Sequence, residues 1–318
     1  MSLSYIIHKP SKEAIQGSIQ LNGSKSISNR VLIIDAICKH QLQMEYLSNA
    51  DDTIAMQQLL LSKESVLDAG AGGTTYRFLT AFLATQEGRE VVLTGSERMQ
   101  LRPIKILVDA LKQLGADISY ENNEGFPPLR ILPADTSSQY ITALLLIAPT
   151  LEEGLELELI GTIVSVPYIK MTLKIMEYFG VQTVFSGNNI KVENGTYIPK
   201  PFFVEGDWSA ASYFYSIAIL SEHATIELKG LTNQQIQGDS IIETIAKRFG
   251  VETTYNENAI ILNKVRQPAV ELYEFDFIEC PDLAQTVLAF CGALQTEMHC
   301  NGLQTLRIKE TDRIAALD

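Results

Sequence analysis

A pattern of polar and apolar positions recurs five times along the chain. Each copy has a loop rich in Gly, Ser or Asp, an apolar stretch rich in Ala, Ile and Leu, and a short strand-like segment ending near Gly or Leu. Apolar residues at helical spacing indicate a helix packed against a core, so the pattern predicts a repeated helix–strand unit. The copies begin at Gly23, Gly70, Asp135, Glu205 and Glu279.

Second helices of equally regular type lie between these copies. Each has apolar residues at helical spacing and ends at a Gly, which favours a helix C-terminus. They begin at Arg102, Val166 and Asp239, and Pro103 predicts the first helical residue of the earliest one. The intervals between copies are too irregular for a solenoid of short repeats. The sequence therefore predicts an α/β fold of packed domains.

The fifth copy is incomplete. Its second helix opens at KETDR, and the sequence ends at Asp318, which leaves Ile314 and Leu317 with little to cover. Two domains of three units each need a sixth unit. We therefore expect the sixth unit to be missing from this sequence.

The length predicts two domains, because single hydrophobic cores seldom grow beyond about 250–300 residues. Turn-rich segments near Gln16 and Pro199 mark candidate boundaries. We expect a discontinuous first domain formed by residues 1–18 and 205–318. Residues 19–204 form the second domain, with three repeat units.

Composition narrows the function classes. Hydrophobic residues make up 46% of the chain and charged residues 20%, which is typical of a globular protein. A net charge of −13 argues against nucleic acid as a partner, because that binding needs a basic surface. Small anions stay possible ligands, since a local cluster of cations dominates the field in a cleft.

Cysteine, histidine and hydropathy patterns exclude several further classes. The four cysteines show no CxxC spacing, so we expect reduced thiols in a cytoplasmic protein. His8, His40, His223 and His299 are scattered without metal-ligand spacing. The N-terminus lacks the pattern of a signal peptide, and no apolar run reaches eighteen residues. We expect no metal and no membrane span.

The predicted helix starts carry the candidate chemistry. In GSKSISNR, Gly23 permits a tight turn, Ser24 and Ser26 supply hydroxyls, and Lys25 and Arg30 supply cations. This combination suits phosphate or carboxylate at a helix N-terminus. An ordinary helix cap with solvated basic residues is an equally good interpretation of this segment alone.

In the second copy, backbone N–H groups take the place of side chains as candidate donors to an anion. Gly72 and Gly73 let an anion approach peptide N–H groups closely. Arg98 and Arg102 follow, and a cation beside a helix N-terminus is unfavourable unless an anion compensates it. These two arginines therefore favour a ligand over a solvated surface.

Later helix starts are less specific one by one. Each is more often a helix cap, a core aromatic residue or a salt-bridged helix face. Their recurrence at the same place in successive units gives them weight. The candidates are Ser137, Ser138, Gln139, Ser165, Tyr168, Asp282, Lys309, Glu310 and Arg313.

Taken together, these segments resemble the family of 3-phosphoshikimate 1-carboxyvinyltransferases (EPSP synthases), which transfer the enolpyruvyl group of phosphoenolpyruvate to shikimate 3-phosphate. The resemblance runs from the first residues to Asp318. Its motifs, in order, are GSKSISNR, LTGSERMQLRPI, SSQYITALL, EGDWSAASYF, PDLAQT and RIKETDR. It implies two domains of βαβαββ units, an inside-out α/β barrel arrangement, with helix N-termini converging on an interdomain cleft.

The resemblance also implies ligands and roles for individual residues. Asp282 would accept the proton of the attacking 5-hydroxyl, and Glu310, with Lys25 nearby, would protonate the phosphoenolpyruvate methylene. Shikimate 3-phosphate would contact Lys25, Ser26, Arg30, Ser137, Ser138, Gln139, Ser165, Tyr168, Asp282 and Lys309. Phosphoenolpyruvate would contact Lys25, Gly73, Arg102, Gln139, Glu310 and Arg313.

Several implications follow for partners and competitors. The resemblance implies no cofactor, a monomer, a place in aromatic amino acid biosynthesis, and competition by glyphosate for the phosphoenolpyruvate site. Ala71 and Gly72 depart from the family pattern, and Thr305 replaces a common Asn.

Two alternatives remain beside this interpretation. One is a truncated, non-catalytic fragment that binds shikimate 3-phosphate. The other is a UDP-N-acetylglucosamine enolpyruvyl transferase, which the Lys25–Ser26 pair disfavours because that relative typically has Lys-Asn.

Overall fold

The structure, a computed structural model, describes residues 14–86, 89–113, 116–132, 141–159, 166–303, 306 and 313–315. The helices are α1 Lys25–Ile37, α2 Asp51–Leu61, α3 Gly73–Leu83, α4 Glu97–Gln100, α5 Lys105–Gln113, α6 Ile141–Ile147, α7 Val166–Tyr178, α8 Trp208–Leu220, α9 Ile242–Arg248 and α10 Ala284–Leu294. Short 3-10 helices span Ala148–Thr150, Gly238–Ile241 and Pro281–Leu283.

The strands are short and alternate with these helices. They are β1 Ile15–Gln20, β2 Met44–Glu45, β3 Val66–Asp68, β4 Val91–Thr94, β5 Asp117–Tyr120, β6 Leu129–Leu132, β7 Leu155–Glu158, β8 Thr183–Ser186, β9 Asn189–Val192, β10 Phe202–Phe203, β11 Ala224–Lys229, β12 Val251–Tyr255, β13 Ala259–Lys264, β14 Leu272–Asp276 and β15 Glu297–Asn301. This alternation confirms the predicted α/β class.

Two compact units divide the chain. The first unit contains Met1–Leu21, Trp208–Gln235 and Asp239–Asp318. The second unit contains Asn22–Asp207 and a three-residue return, Ile236–Gly238. The domain boundaries given above, at residues 18/19 and 204/205, stay a prediction.

Helix α1 forms the centre of the second unit. After the first turn its sequence is mostly apolar, as expected of a helix enclosed by others, and its polar residues Asn29, Arg30 and Asp35 are buried as well. Nine consecutive residues, 27–35, are buried, and the helix contacts α2, α3, α6 and α7. Sheets β3-β4-β6-β5 and β7-β9-β8 and the pair β10-β2 complete this unit.

The first unit has its own core. Its main sheet has the order β1-β11-β13-β12, in which β1 and β11 are parallel and the other pairs antiparallel. Strands β14 and β15 form a separate parallel pair. The core between these sheets and helices α8, α9 and α10 includes Trp208, Tyr215, Phe249, Phe277 and Phe290. Among the described strands, every sheet is open and none closes into a barrel.

One helix start was predicted wrongly, and one helix was not predicted. Pro103 does not begin a helix: α5 starts at Lys105, and the short α4 precedes it. Arg102 therefore lies in the turn between α4 and α5. Helix α2 was missed, although Asp51 and Asp52 in its first turn are favourable beside the helix dipole.

Gly23 is required by a close backbone approach. It forms an isolated bridge with Gly206, and a Cβ built on Gly23 would lie 1.9 Å from the carbonyl oxygen of Tyr46. Gly23 thus lies against two segments that are distant in sequence, and this close approach was not predicted from the sequence.

We predict that Gly23→Ala lowers the free energy of unfolding by about 2 kcal/mol or more, because the backbone around Tyr46 must move. Gly195→Ala is the matched control in the same unit, since nothing lies within 4 Å of its Cβ position. Denaturant unfolding of both variants measures the difference. Equal stability of the two variants would contradict a structural requirement for glycine at position 23.

Candidate active site

Three helix starts meet around Asp52 in the second unit. The carboxylate Oδ2 of Asp52 lies 3.1 Å from Nζ of Lys25, the first residue of α1. The hydroxyl of Thr75, in the first turn of α3, donates to the backbone oxygen of Asp52 at 2.8 Å. Asp52 itself is the second residue of α2. The N-terminal ends of α1, α2 and α3 are therefore held together.

A second cation, Arg102, lies against Gly73 at the start of α3. A Cβ on Gly73 would lie 2.4 Å from Nη1 of Arg102, and a Cβ on Gly72 would lie 3.1 Å from Oδ1 of Asp52. Arg102 and the Asp52–Lys25 pair thus contact neighbouring residues at the start of α3. The side-chain-free backbone at Gly73 gives the guanidinium room to lie there.

Arg30 is a buried cation on α1. Its Nε donates to the Thr172 hydroxyl at 2.8 Å, Nη1 to the backbone oxygen of Ser26 at 2.7 Å, and Nη2 to the backbone oxygen of Tyr168 at 3.4 Å. Each of these partners is uncharged. Burial lowers the pKa of Arg30 to about 10, so the side chain stays a cation at neutral pH.

Aromatic rings complete the surroundings of Arg30. Its Cζ lies 5.5 Å from the ring centre of Phe78 and 5.9 Å from that of Tyr168, within the range of cation–π contact. A guanidinium has five N–H donors, so the three bonds to Thr172, Ser26 and Tyr168 leave capacity for a ligand. This arrangement suits an anion with oxygen acceptors.

The first unit contains a second charged pair. Nη1 of Arg313 donates to Oδ1 of Asp282 at 2.8 Å and lies 3.4 Å from Oε1 of Gln285. Asp282 lies in the 3-10 turn that leads into α10, so its carboxylate is held at a helix start. Side-chain exposure is 17% for Asp282 and 23% for Arg313, which makes this a partly buried ion pair.

The described residues include some of the predicted site. Ser26, Arg30 and Tyr168 are joined by hydrogen bonds, Gly73 contacts Arg102, and Asp282 pairs with Arg313. The stacking of Tyr168 on a carbocycle stays a prediction. Ser137, Ser138, Gln139, Ser165, Lys309 and Glu310 lie outside the described residues.

Sequence reasoning missed Asp52 and Thr172. Asp52 could have been found from the paired aspartates that precede an apolar helical run. Thr172 carries no such pattern, because it is one polar residue on the otherwise apolar inner face of α7. The Thr172 hydroxyl also donates to the backbone oxygen of Tyr168 at 2.8 Å, so a residue one turn earlier in α7 fixes its orientation.

Within the described ranges, no group of three or more His, Cys, Asp or Glu side chains is placed to hold a metal ion. In that same part of the chain, no helix combines the length and apolar character needed to cross a bilayer.

Fold and site together define an α/β protein with cations gathered at helix starts, suited to small anionic ligands. The family model described as EPSP synthase (3-phosphoshikimate 1-carboxyvinyltransferase) matches residues 56–317. A 3-phosphoshikimate 1-carboxyvinyltransferase from Bacteroides fragilis is 49% identical, and the match covers 99% of this chain and 79% of that protein. The chain belongs to the EPSP synthase family.

A second relative agrees with this family, and a solved structure agrees with the fold. The Cellvibrio japonicus 3-phosphoshikimate 1-carboxyvinyltransferase is 35% identical over 99% of this chain and 82% of its own length. A solved EPSP synthase from Acinetobacter baumannii superposes with a TM-score of 0.77 at 19% identity, covering 97% of this chain and 78% of that one. The family prediction is confirmed, and the chain is an enzyme of the transferase class.

We predict that Arg30→Met weakens binding of inorganic phosphate by about tenfold or more, because a buried, charge-assisted donor is lost. Since the pKa of Arg30 is about 10, wild-type affinity should hold from pH 8 to 9 and fall as pH rises through 10. The Arg30→Met variant should lack this alkaline fall. Titration calorimetry at several pH values measures both effects.

Arg130→Met is the control for lost positive charge. Arg130 is 41% exposed and pairs with Glu90 and Glu121 on the surface of the second unit. Its removal should leave phosphate affinity within about twofold, since surface ion pairs contribute little. Similar losses in the two variants would contradict a local role for Arg30.

Proposed function

We propose that this protein transfers the enolpyruvyl group of phosphoenolpyruvate to the 5-hydroxyl of shikimate 3-phosphate. The products are 5-enolpyruvylshikimate 3-phosphate and phosphate, in the route to chorismate and aromatic amino acids. The observation that carries the proposal is the 49% identity to the Bacteroides fragilis enzyme over 79% of its length. The cations at the helix starts support it, because both substrates are anions.

The proposed first step is addition. The 5-hydroxyl oxygen bonds to C2 of phosphoenolpyruvate while its proton passes to the Asp282 carboxylate. Glu310, assisted by Lys25, donates a proton to C3, and a tetrahedral intermediate results. The ion pair of Asp282 with Arg313 supports this role, because a proton acceptor must start ionised.

The proposed second step is elimination. The C2–O bond to phosphate breaks and its electron pair leaves with the phosphate, while Glu310 takes back a proton from C3 and the enol ether forms. The proton held by Asp282 passes to the departing phosphate, so both carboxylates return to their starting states and no redox partner is required. No cofactor is needed for either step.

The proposed ligand sets follow from the family resemblance. Shikimate 3-phosphate is assigned to Lys25, Ser26, Arg30, Ser137, Ser138, Gln139, Ser165, Tyr168, Asp282 and Lys309. Phosphoenolpyruvate is assigned to Lys25, Gly73, Arg102, Gln139, Glu310 and Arg313. The contacts of Arg30 with Ser26 and Tyr168 support the first set, and the contact of Arg102 with Gly73 supports the second.

We further propose that the protein acts as a cytoplasmic monomer on small-molecule substrates alone. A net charge of −13 supports the exclusion of nucleic acid. Sedimentation analysis at micromolar concentration tests the monomer, and a dimer mass would refute it.

The decisive assay is phosphate release with both substrates present. Release should require shikimate 3-phosphate and phosphoenolpyruvate together, and glyphosate should compete with phosphoenolpyruvate. A folded protein that releases no phosphate but binds shikimate 3-phosphate would favour the non-catalytic alternative.

We predict that Asp282→Asn removes most turnover, by about 100-fold or more, because an amide cannot accept the proton. Binding of shikimate 3-phosphate should stay within about tenfold. Glu274→Gln is the control, since Glu274 is a carboxylate of the same unit that is 73% exposed. Unchanged turnover in Asp282→Asn would refute the role of Asp282 as proton acceptor.

A further inference from the structure

Ser24 occupies the N-cap position of α1 but does not cap that helix. A serine at this position normally accepts a hydrogen bond from the second or third backbone N–H of its own helix. Here the Ser24 side chain makes no such bond. Its hydroxyl instead donates to Oε1 of Gln237 at 3.0 Å, and Ser24 is fully buried.

Gln237 is held in one orientation by a neighbouring carboxylate. Its Nε2 donates to Oδ1 of Asp207 at 3.2 Å, and an ionised carboxylate only accepts hydrogen bonds. The amide nitrogen must therefore face Asp207, which turns the amide oxygen toward Ser24. Gln237 is 2% exposed, so water offers little competition for these bonds.

Hydrogen bonds through Glu205 link the segment that carries Gln237 to the start of α1. The backbone N–H of Ile236 donates to the Glu205 carboxylate at 3.2 Å, and the backbone oxygen of Glu205 accepts from the N–H of Ser24 at 2.8 Å. Residues 205, 207, 236 and 237 thus surround the start of α1, within the second unit.

We propose that Gln237 is a positioning residue for the substrate-binding end of α1, an inference that rests on the proposed function. By holding the Ser24 hydroxyl away from its own helix, Gln237 keeps the first-turn N–H groups of Ser26 and Ile27 available to the anionic substrate. A self-capped helix would satisfy those groups internally. The uncapped helix start lowers stability, and its N–H groups contribute affinity for the anion instead.

The test compares three variants that separate positioning from stability. Gln237→Leu keeps the side-chain volume and releases the Ser24 hydroxyl, which then caps α1. Shikimate 3-phosphate affinity should fall by about tenfold, the effect of losing one or two charge-assisted bonds. Ser24→Ala removes a hydroxyl that bonds to Gln237 rather than to a ligand, so its affinity should stay within about threefold of wild type, although the variant is less stable. Titration calorimetry on the full chain gives the affinities.

The double variant Ser24→Ala/Gln237→Leu gives the discriminating result. It has no hydroxyl to cap the helix, so its affinity should return to within about threefold of wild type despite low stability. A purely structural role for Gln237 predicts the opposite, with the double variant binding no better than Gln237→Leu. That outcome would overturn the proposal.

Amide hydrogen exchange by NMR tests the same idea without substrate. The amides of Ser26 and Ile27 should exchange rapidly in wild type and become protected in Gln237→Leu. Unchanged exchange would refute self-capping, even if the variant also lost affinity. Wild-type protein that shows the exchange behaviour but does not bind shikimate 3-phosphate would refute the proposed function and leave the role of Gln237 in helix capping supported.

Discussion

The enclosure of α1 is the constraint on which the second unit depends. Residues 27 to 35 are all buried and α1 contacts four other helices, so the polar side chains in this stretch need partners inside the unit. Its first two residues, Lys25 and Ser26, are only partly buried, and backbone N–H groups at a helix start have no partner within the helix. The partly open start of this buried helix is therefore where charged ligands are expected to bind.

Arg30 shows what this arrangement costs and why it is retained. A guanidinium inside a core loses hydration, which is the main cause of its lowered pKa. Oxygen atoms of Thr172, Ser26 and Tyr168 and two aromatic faces offset part of that loss. A cation in a region of low dielectric interacts strongly with an anion. The same burial that destabilises the free cation would strengthen its interaction with an anionic ligand.

The α/β class and the helix starts at Lys25 and Gly73 could be predicted from apolar spacing and glycine placement. The family was predicted from the resemblance of six motifs, and the comparisons confirm it. The start of α5 was misplaced because Pro103 lies in a turn, a role that proline also favours. Asp52, Thr172 and Gln237 were missed for a different reason. Their roles arise from contacts between segments distant in sequence, which periodicity does not encode.

The three-residue return Ile236–Gly238 has a consequence for synthesis of the chain on the ribosome. Residue 25 emerges more than two hundred residues before residue 237, yet the start of α1 obtains a hydrogen-bond partner from the latter. During elongation at about 5–20 residues per second, α1 must wait on the order of ten seconds or longer for that partner. Through this interval Ser24 has its own helix as the nearest alternative. On the proposed role of Gln237, the nascent second unit would hold α1 in a self-capped form until residue 237 arrives.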